Sequence, residues 1–210
     1  MRTLTQHGLA AIVFIGLLFV ASPVNAGESG LTDAAGRTSL FAGHSPLTVT
    51  IEAPLTTLMR DRPEEAYLDG LFSYASQDGT AYTFDLKIRA RGNFRLQEST
   101  CDFAPIRLNF RKKQVAGTEF DNQDKLKLVT HCQSGTPYYE QLALREYLAY
   151  RFLQVLTDKS FGTRLMKINY VDTDTDNTLT RVGFVIEDHD DVAARNGMTA
   201  IGVCSKVVFG

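Results

Sequence analysis

Apolar and polar residues alternate along most of the chain between positions 47 and 186, with one long interruption. Leu47-Thr48-Val49-Thr50-Ile51 repeats with a period of two, which puts successive side chains on opposite faces and predicts a half-buried strand ended by Pro54. Residues 55–60 suit a helical turn before Arg62-Pro63. Residues 70–75 and 81–91 flank Gln77-Asp78-Gly79-Thr80, an Asp-Gly turn between alternating runs, which predicts a hairpin. In its second arm Tyr82, Phe84, Leu86 and Ile88 share one face, and Lys87, Arg89 and Arg91 share the other. Residues 105–110 and 125–129 repeat the alternation. Residues 164–171 and 179–186 predict a second hairpin across 172–177, and residues 188–195 a short helix stopped by Asn196-Gly197.

The interruption is residues 138–156. Leu144, Leu148, Phe152 and Val155 recur at helical spacing, and Leu142, Ala149, Leu153 and Leu156 widen the stripe, so a largely buried helix is expected. Thr136 suits its N-cap and Pro137 its first turn. The implied fold class is α+β: an antiparallel sheet, apolar on one face only, packed on one long helix.

Composition narrows the class. The chain has 210 residues, 44% of them hydrophobic and 22% charged, with a net charge of -2. Those proportions exclude a disordered acidic tail, a collagen-like repeat and a polybasic nucleic-acid arm. Arg2, the apolar run over 9–20 and Val24-Asn25-Ala26 have the layout of a secretory signal over residues 1–26; an uncleaved anchor is the other reading. Residues 27–46 read as a flexible lead-in and 47–210 as one α+β domain that is C-terminally incomplete. The expected location is secreted or periplasmic, with no transmembrane span after signal cleavage. Export places Cys101, Cys132 and Cys204 in an oxidising compartment. A bridge between Cys101 and Cys132, both in turn-like segments, would contribute roughly 3 kcal/mol by loop closure; two unpaired thiols are the alternative. No C-x-x-C occurs, and Cys204 is left over.

Three clusters bear on chemistry. From Lys87 to Lys113 there are eight Lys or Arg residues against Glu98 and Asp102, on a chain that is acidic overall. Arg89 and Arg91, two apart on one strand face, can hold phosphates or other anions; a solvated face balanced by acids from elsewhere is the slightly better reading. Because the aromatic residues alternate inward, away from these charges, nucleic acid is not an expected partner. Asp172, Asp174 and Asp176 begin like a calcium loop, but Asn177 stands at the glycine position and Gly183 at that of the bidentate glutamate, so a polar hairpin tip is the better reading. Glu187 and Asp188, leading Glu187-Asp188-His189-Asp190-Asp191, are candidate magnesium or manganese ligands, or acids complementing a helix dipole. His131 reads as structural. Glycine-rich phosphate loops and the ordinary kinase motifs are absent from the sequence.

The order Lys87-x-Arg89-x-Arg91-Gly92-Asn93, Pro105-x-Arg107-Leu108-Asn109-Phe110, Lys125-Leu126-Lys127-Leu128-Val129 resembles the spore-coat H type (CotH) kinase-like proteins, over about residues 84–191. Leu144-Arg145-Glu146-Tyr147, Arg164-x-x-Lys167-Ile168-x-Tyr170 and Gly183-x-x-x-Glu187 continue the likeness. The resemblance implies part of an atypical protein-kinase-like fold, ATP with Mg or Mn, and phosphorylation of an exported protein. By motif it places Arg91 and Asn93 in the R-G-N element, counted with Arg89 and Lys127 as anion- or nucleotide-binding, puts Lys127 on a strand facing the nucleotide's phosphates, and gives Glu187 the glutamate of the strand ending the family's first half. The family's catalytic and metal-binding aspartates belong to a later segment, beyond the residues matched here, so no catalytic residue is assigned. Two functions follow: an exported nucleotide- or anion-binding domain, and a non-catalytic envelope domain recognising an anionic polymer or a protein partner.

Overall fold

The computed structural model describes residues 32–201, and the signal segment and Cys204 lie outside them. Seven strands form in chain order: β1 (Leu47–Ala53), β2 (Leu68–Ala75), β3 (Ala81–Ala90), β4 (Ile106–Phe110), β5 (Lys125–Val129), β6 (Thr163–Asp172) and β7 (Thr178–Ile186). Between and around them lie α1 (Ser39–Ala42), α2 (Leu55–Asp61), α3 (Lys112–Val115), α4 (Pro137–Leu156) and α5 (His189–Arg195).

The strands close into a barrel in the order β1-β2-β3-β4-β5-β7-β6. Every neighbouring pair is antiparallel except the seam, where β1 runs parallel to β6 with Val49 opposite Ile168 and Ile51 opposite Tyr170. This corrects the expectation of an open antiparallel sheet on one long helix, and with it the kinase-like fold. The alternation identified the inward residues correctly, but their apolar face is the barrel interior rather than the back of a flat sheet. Val49, Ile51, Phe84, Leu86, Ile88, Ile106, Leu108, Leu126, Leu128 and Ile168 fill that interior. A closed sheet satisfies its own apolar face and leaves no free edge, so a covering helix is not required.

The long helix forms as its capping residues suggest, with the Thr136 hydroxyl accepting from the Tyr138 amide and Pro137 in the first turn. It lies outside the barrel, against the outward-facing Phe184 and Ile186 of β7, and buries only Ala143 and Tyr147. The expected stripe faces mostly outward: Leu148 is 62% exposed, Phe152 66% and Val155 83%. None of the helices among the described residues is long and apolar enough to cross a membrane.

The described part of the lead-in carries α1, whose Leu40 and Phe41 are core residues. Arg164 on β6 points inward and is 1% exposed; its guanidinium donates to the Leu40 carbonyl and pairs with Glu119 at 3.3 Å. Gly43 lies against that guanidinium, where a Cβ would collide with it. Its lack of a side chain is what admits the buried cation. Cys101 and Cys132 form a disulfide, and the adjacent Phe103 bridges to Cys132 as an isolated antiparallel pair.

Candidate anion-binding site

The register of three strands sets a row of cations on the barrel's outer face. Arg89 on β3 stands opposite Arg107 on β4, Arg107 opposite Lys127 on β5, and Lys127 opposite Ile186 on β7. Alternation requires this, because Phe84, Leu86, Ile88, Leu108, Leu126 and Leu128 all point inward. Past Ala90 the chain turns at Gly92, whose φ of 110° suits a residue without Cβ, and the Arg91 amide donates to the Pro105 carbonyl. This turn places Arg91 and Asn93 beside Lys127 in a cleft of about 370 Å³, bounded by Glu146 and Tyr150 of α4 and by Phe161.

The charges in the cleft are unequally matched. Arg95 pairs with Glu146 at 2.7 Å, and Arg107 with Asp188 at 2.9 Å. Among the described residues Arg91 and Lys127 have neither a salt bridge nor a side-chain hydrogen bond; Lys127 rests over the Phe161 ring at 5.3 Å. Burial lowers the pKa of Arg91, and Arg107 lowers it further. Burial likewise lowers that of Lys127, with Asp188 opposing and Arg91 and Arg107 adding to the depression. Two half-buried cations therefore share one cleft with no direct ion pair, Glu146 and Asp188 acting on them only at longer range, and a bound anion would relieve both the lost solvation and the repulsion.

Of the residues expected to bind anions, Arg91, Asn93 and Lys127 come together. Arg89 does not join them: its guanidinium donates to the Glu64 carbonyl and lies over the Tyr67 ring at 5.4 Å. The two metal candidates have other partners. Glu187, 2% exposed, receives Arg195 on both oxygens and the Gly162 amide at 2.7 Å. Asp188 caps α5 through the Asp190 amide and holds Arg107 on its other oxygen. Asp188, His189 and Asp190 offer ligand atoms within 4.8 Å of one another, two of the three residues being exposed. Asp172 fits the hairpin-tip reading: it accepts from Leu55, Thr56 and Thr175, tying the β6–β7 turn to α2.

Arg95, Glu146, Tyr150 and Phe161 complete the cleft without having been singled out as site residues in the sequence. Arg95 sat within the basic stretch, whereas Tyr150 was hidden by the expectation that its helix lay behind the sheet. Compared with known proteins, the chain matches no family model, no curated protein and no solved structure. What fold and site define is a closed, disulfide-linked mixed barrel carrying a cationic cleft on its wall.

Proposed function

We propose that this chain is an exported domain that binds a phosphate- or carboxylate-bearing polymer or protein partner through the Arg91–Lys127 cleft. The observation that carries this reading is the pair of half-buried cations, neither of which has a salt bridge or a side-chain hydrogen bond among the described residues. Tyr150 and Asn93 add hydrogen-bonding groups to the same lining, and Arg95, already paired with Glu146, limits the extent of free positive charge. The disulfide and the absence of a membrane-crossing helix among the described residues agree with a secreted or periplasmic setting.

A second reading, ATP with Mg or Mn as the family resemblance implies, draws support from Arg91, Asn93 and Lys127 of its motifs lining one cleft. Thermal unfolding of the chain with inorganic phosphate, polyphosphate, and ATP with or without manganese separates the two. Anion binding predicts stabilisation by phosphate and polyphosphate without metal, lost in Lys127→Ala and Arg91→Ala. Stabilisation by ATP that requires manganese, with none by polyphosphate, selects the nucleotide. No shift with any of these ligands overturns both.

A further inference from the structure

One side of α4 is patterned for burial and stands in the open. Gln141, Arg145, Leu148, Phe152, Val155 and Leu156 fall within a sector of about 100° on a regular helix, turned away from Ala143 and Tyr147, which are buried against the barrel. The four apolar members are 62–83% exposed. They present roughly 500 Å² of apolar surface in one strip, in the upper half of the range for the largest patch on an ordinary monomer. Two such strips laid together would remove about 1,000 Å² from water, which is the lower bound for a specific protein interface.

The charges decide what covers the strip. Four residues of α4 are charged, and three of them are engaged within the fold: Glu140 with the Val182 amide, Glu146 with Arg95, and Arg151 with His44. Arg145, exposed towards the N-terminal end of the strip, has no partner among the described residues. Just beyond the opposite end lies Asp158, also exposed; its carbonyl accepts from Arg195, and its carboxylate has no partner among the described residues. The neighbouring Lys159 lines a different cleft, against α5. A strip that is cationic at one end, apolar in the middle and acidic at the other is complementary to itself reversed, which is the property a two-fold dimer requires.

We propose that this strip joins two copies of the chain, with their α4 helices antiparallel about a two-fold axis between Leu148 and Phe152. Leu148 of each copy then packs on Phe152 of the other, and each Arg145 reaches the carbonyl end of the opposite helix and its Asp158. Glu146 and Tyr150, which line the cationic cleft, lie on another side of the helix, so pairing leaves that cleft open. The test is sedimentation velocity of the full chain across a dilution series. The mass is expected to double between low-micromolar and high-micromolar concentration. Phe152→Glu and Val155→Glu, both at exposed positions, should each leave a monomer throughout. Arg145→Glu should weaken pairing several-fold, and adding Asp158→Arg should restore most of it. A monomer at every concentration overturns the proposal, as does a dimer that survives both glutamate variants or a charge exchange that restores nothing. If one glutamate variant fails to fold, the other decides. A monomer whose α4 amides exchange faster once residues 202–210 are deleted assigns the strip to that segment and likewise overturns the dimer.

Discussion

Arg195 grips both carboxylate oxygens of Glu187, Nε to Oε1 at 2.9 Å and Nη2 to Oε2 at 3.0 Å, and thereby fastens the end of α5 to the end of β7. The same arginine donates to the carbonyls of Ala35 and Asp158, so three separate segments converge on it. Both side chains are nearly inaccessible, at 9% and 3%. Removing one member of such a pair leaves the other charge buried and uncompensated. Glu187→Ala is therefore expected to lower unfolding free energy by about 3–5 kcal/mol, measured by denaturant titration. A loss below about 1 kcal/mol would mean that the clamp is not formed in solution.

Gly43 makes a different kind of prediction, because its φ of -72° is available to any residue. Only space is at issue. A methyl group there would displace the buried Arg164 guanidinium from the Leu40 carbonyl and Glu119. Gly43→Ala should cost about 1–3 kcal/mol, as overpacking does. The double variant Gly43→Ala/Arg164→Leu should cost less than the two single losses added together, which a double-mutant cycle would read directly.

His131 couples stability to pH. Burial, helped by Arg181 and opposed by Asp102, lowers its pKa from 6.5 to about 4. The unfolded chain then binds a proton that the folded chain refuses between those values, so this group's contribution is complete above pH 6.5 and is lost as pH falls toward 4. Unfolding free energy should drop by about 2 kcal/mol from pH 7 to pH 5 through this group. The profile of His131→Gln should be flatter over that interval; an equal slope in the variant would rule out His131 as its source.

The disulfide sits at the far end of the segment that begins at Arg91. Arg62 braces the same segment by donating to the carbonyls of Leu96 and Cys101. Cys101→Ser with Cys132→Ser should cost about 3 kcal/mol in stability. It should also weaken polyphosphate binding, since Arg91 and Asn93 would lose a fixed anchor downstream. Unchanged affinity in the folded variant would show that the cleft is held by the strands alone.

Local pattern revealed a great deal here and long-range pairing very little. Each strand's inward residues were readable because alternation is a property of neighbours; Phe84, Leu86 and Ile88 fall where their spacing puts them. The seam was not readable, since nothing in Leu47–Ala53 signals that its second partner is Thr163–Asp172, over a hundred residues on. That omission produced the largest error: with the sheet taken as open, Leu148, Phe152 and Val155 became a cover for it, and they are exposed. At the site, residues on or next to one strand were legible. Arg91 and Lys127 meet because the turn at Gly92 brings Arg91 over the face that register gives Lys127, whereas Arg89, equally well placed by alternation, is drawn off by Glu64 and Tyr67. For Glu187 and Asp188 the composition was plain but their partners, Arg195 and Arg107, were not.

Because the parallel seam joins the first strand to the sixth, the cylinder cannot shut until the chain has been delivered at least through Asp172. Until then β1 has an unmet row of amides and carbonyls along one side, a template to which another unfinished copy could add. Contacts this distant are slow to form, which lengthens that exposure. A chain delivered from its N-terminus therefore presents its most adhesive edge first and its remedy late, so escort during synthesis should matter more for this protein than its finished stability would suggest.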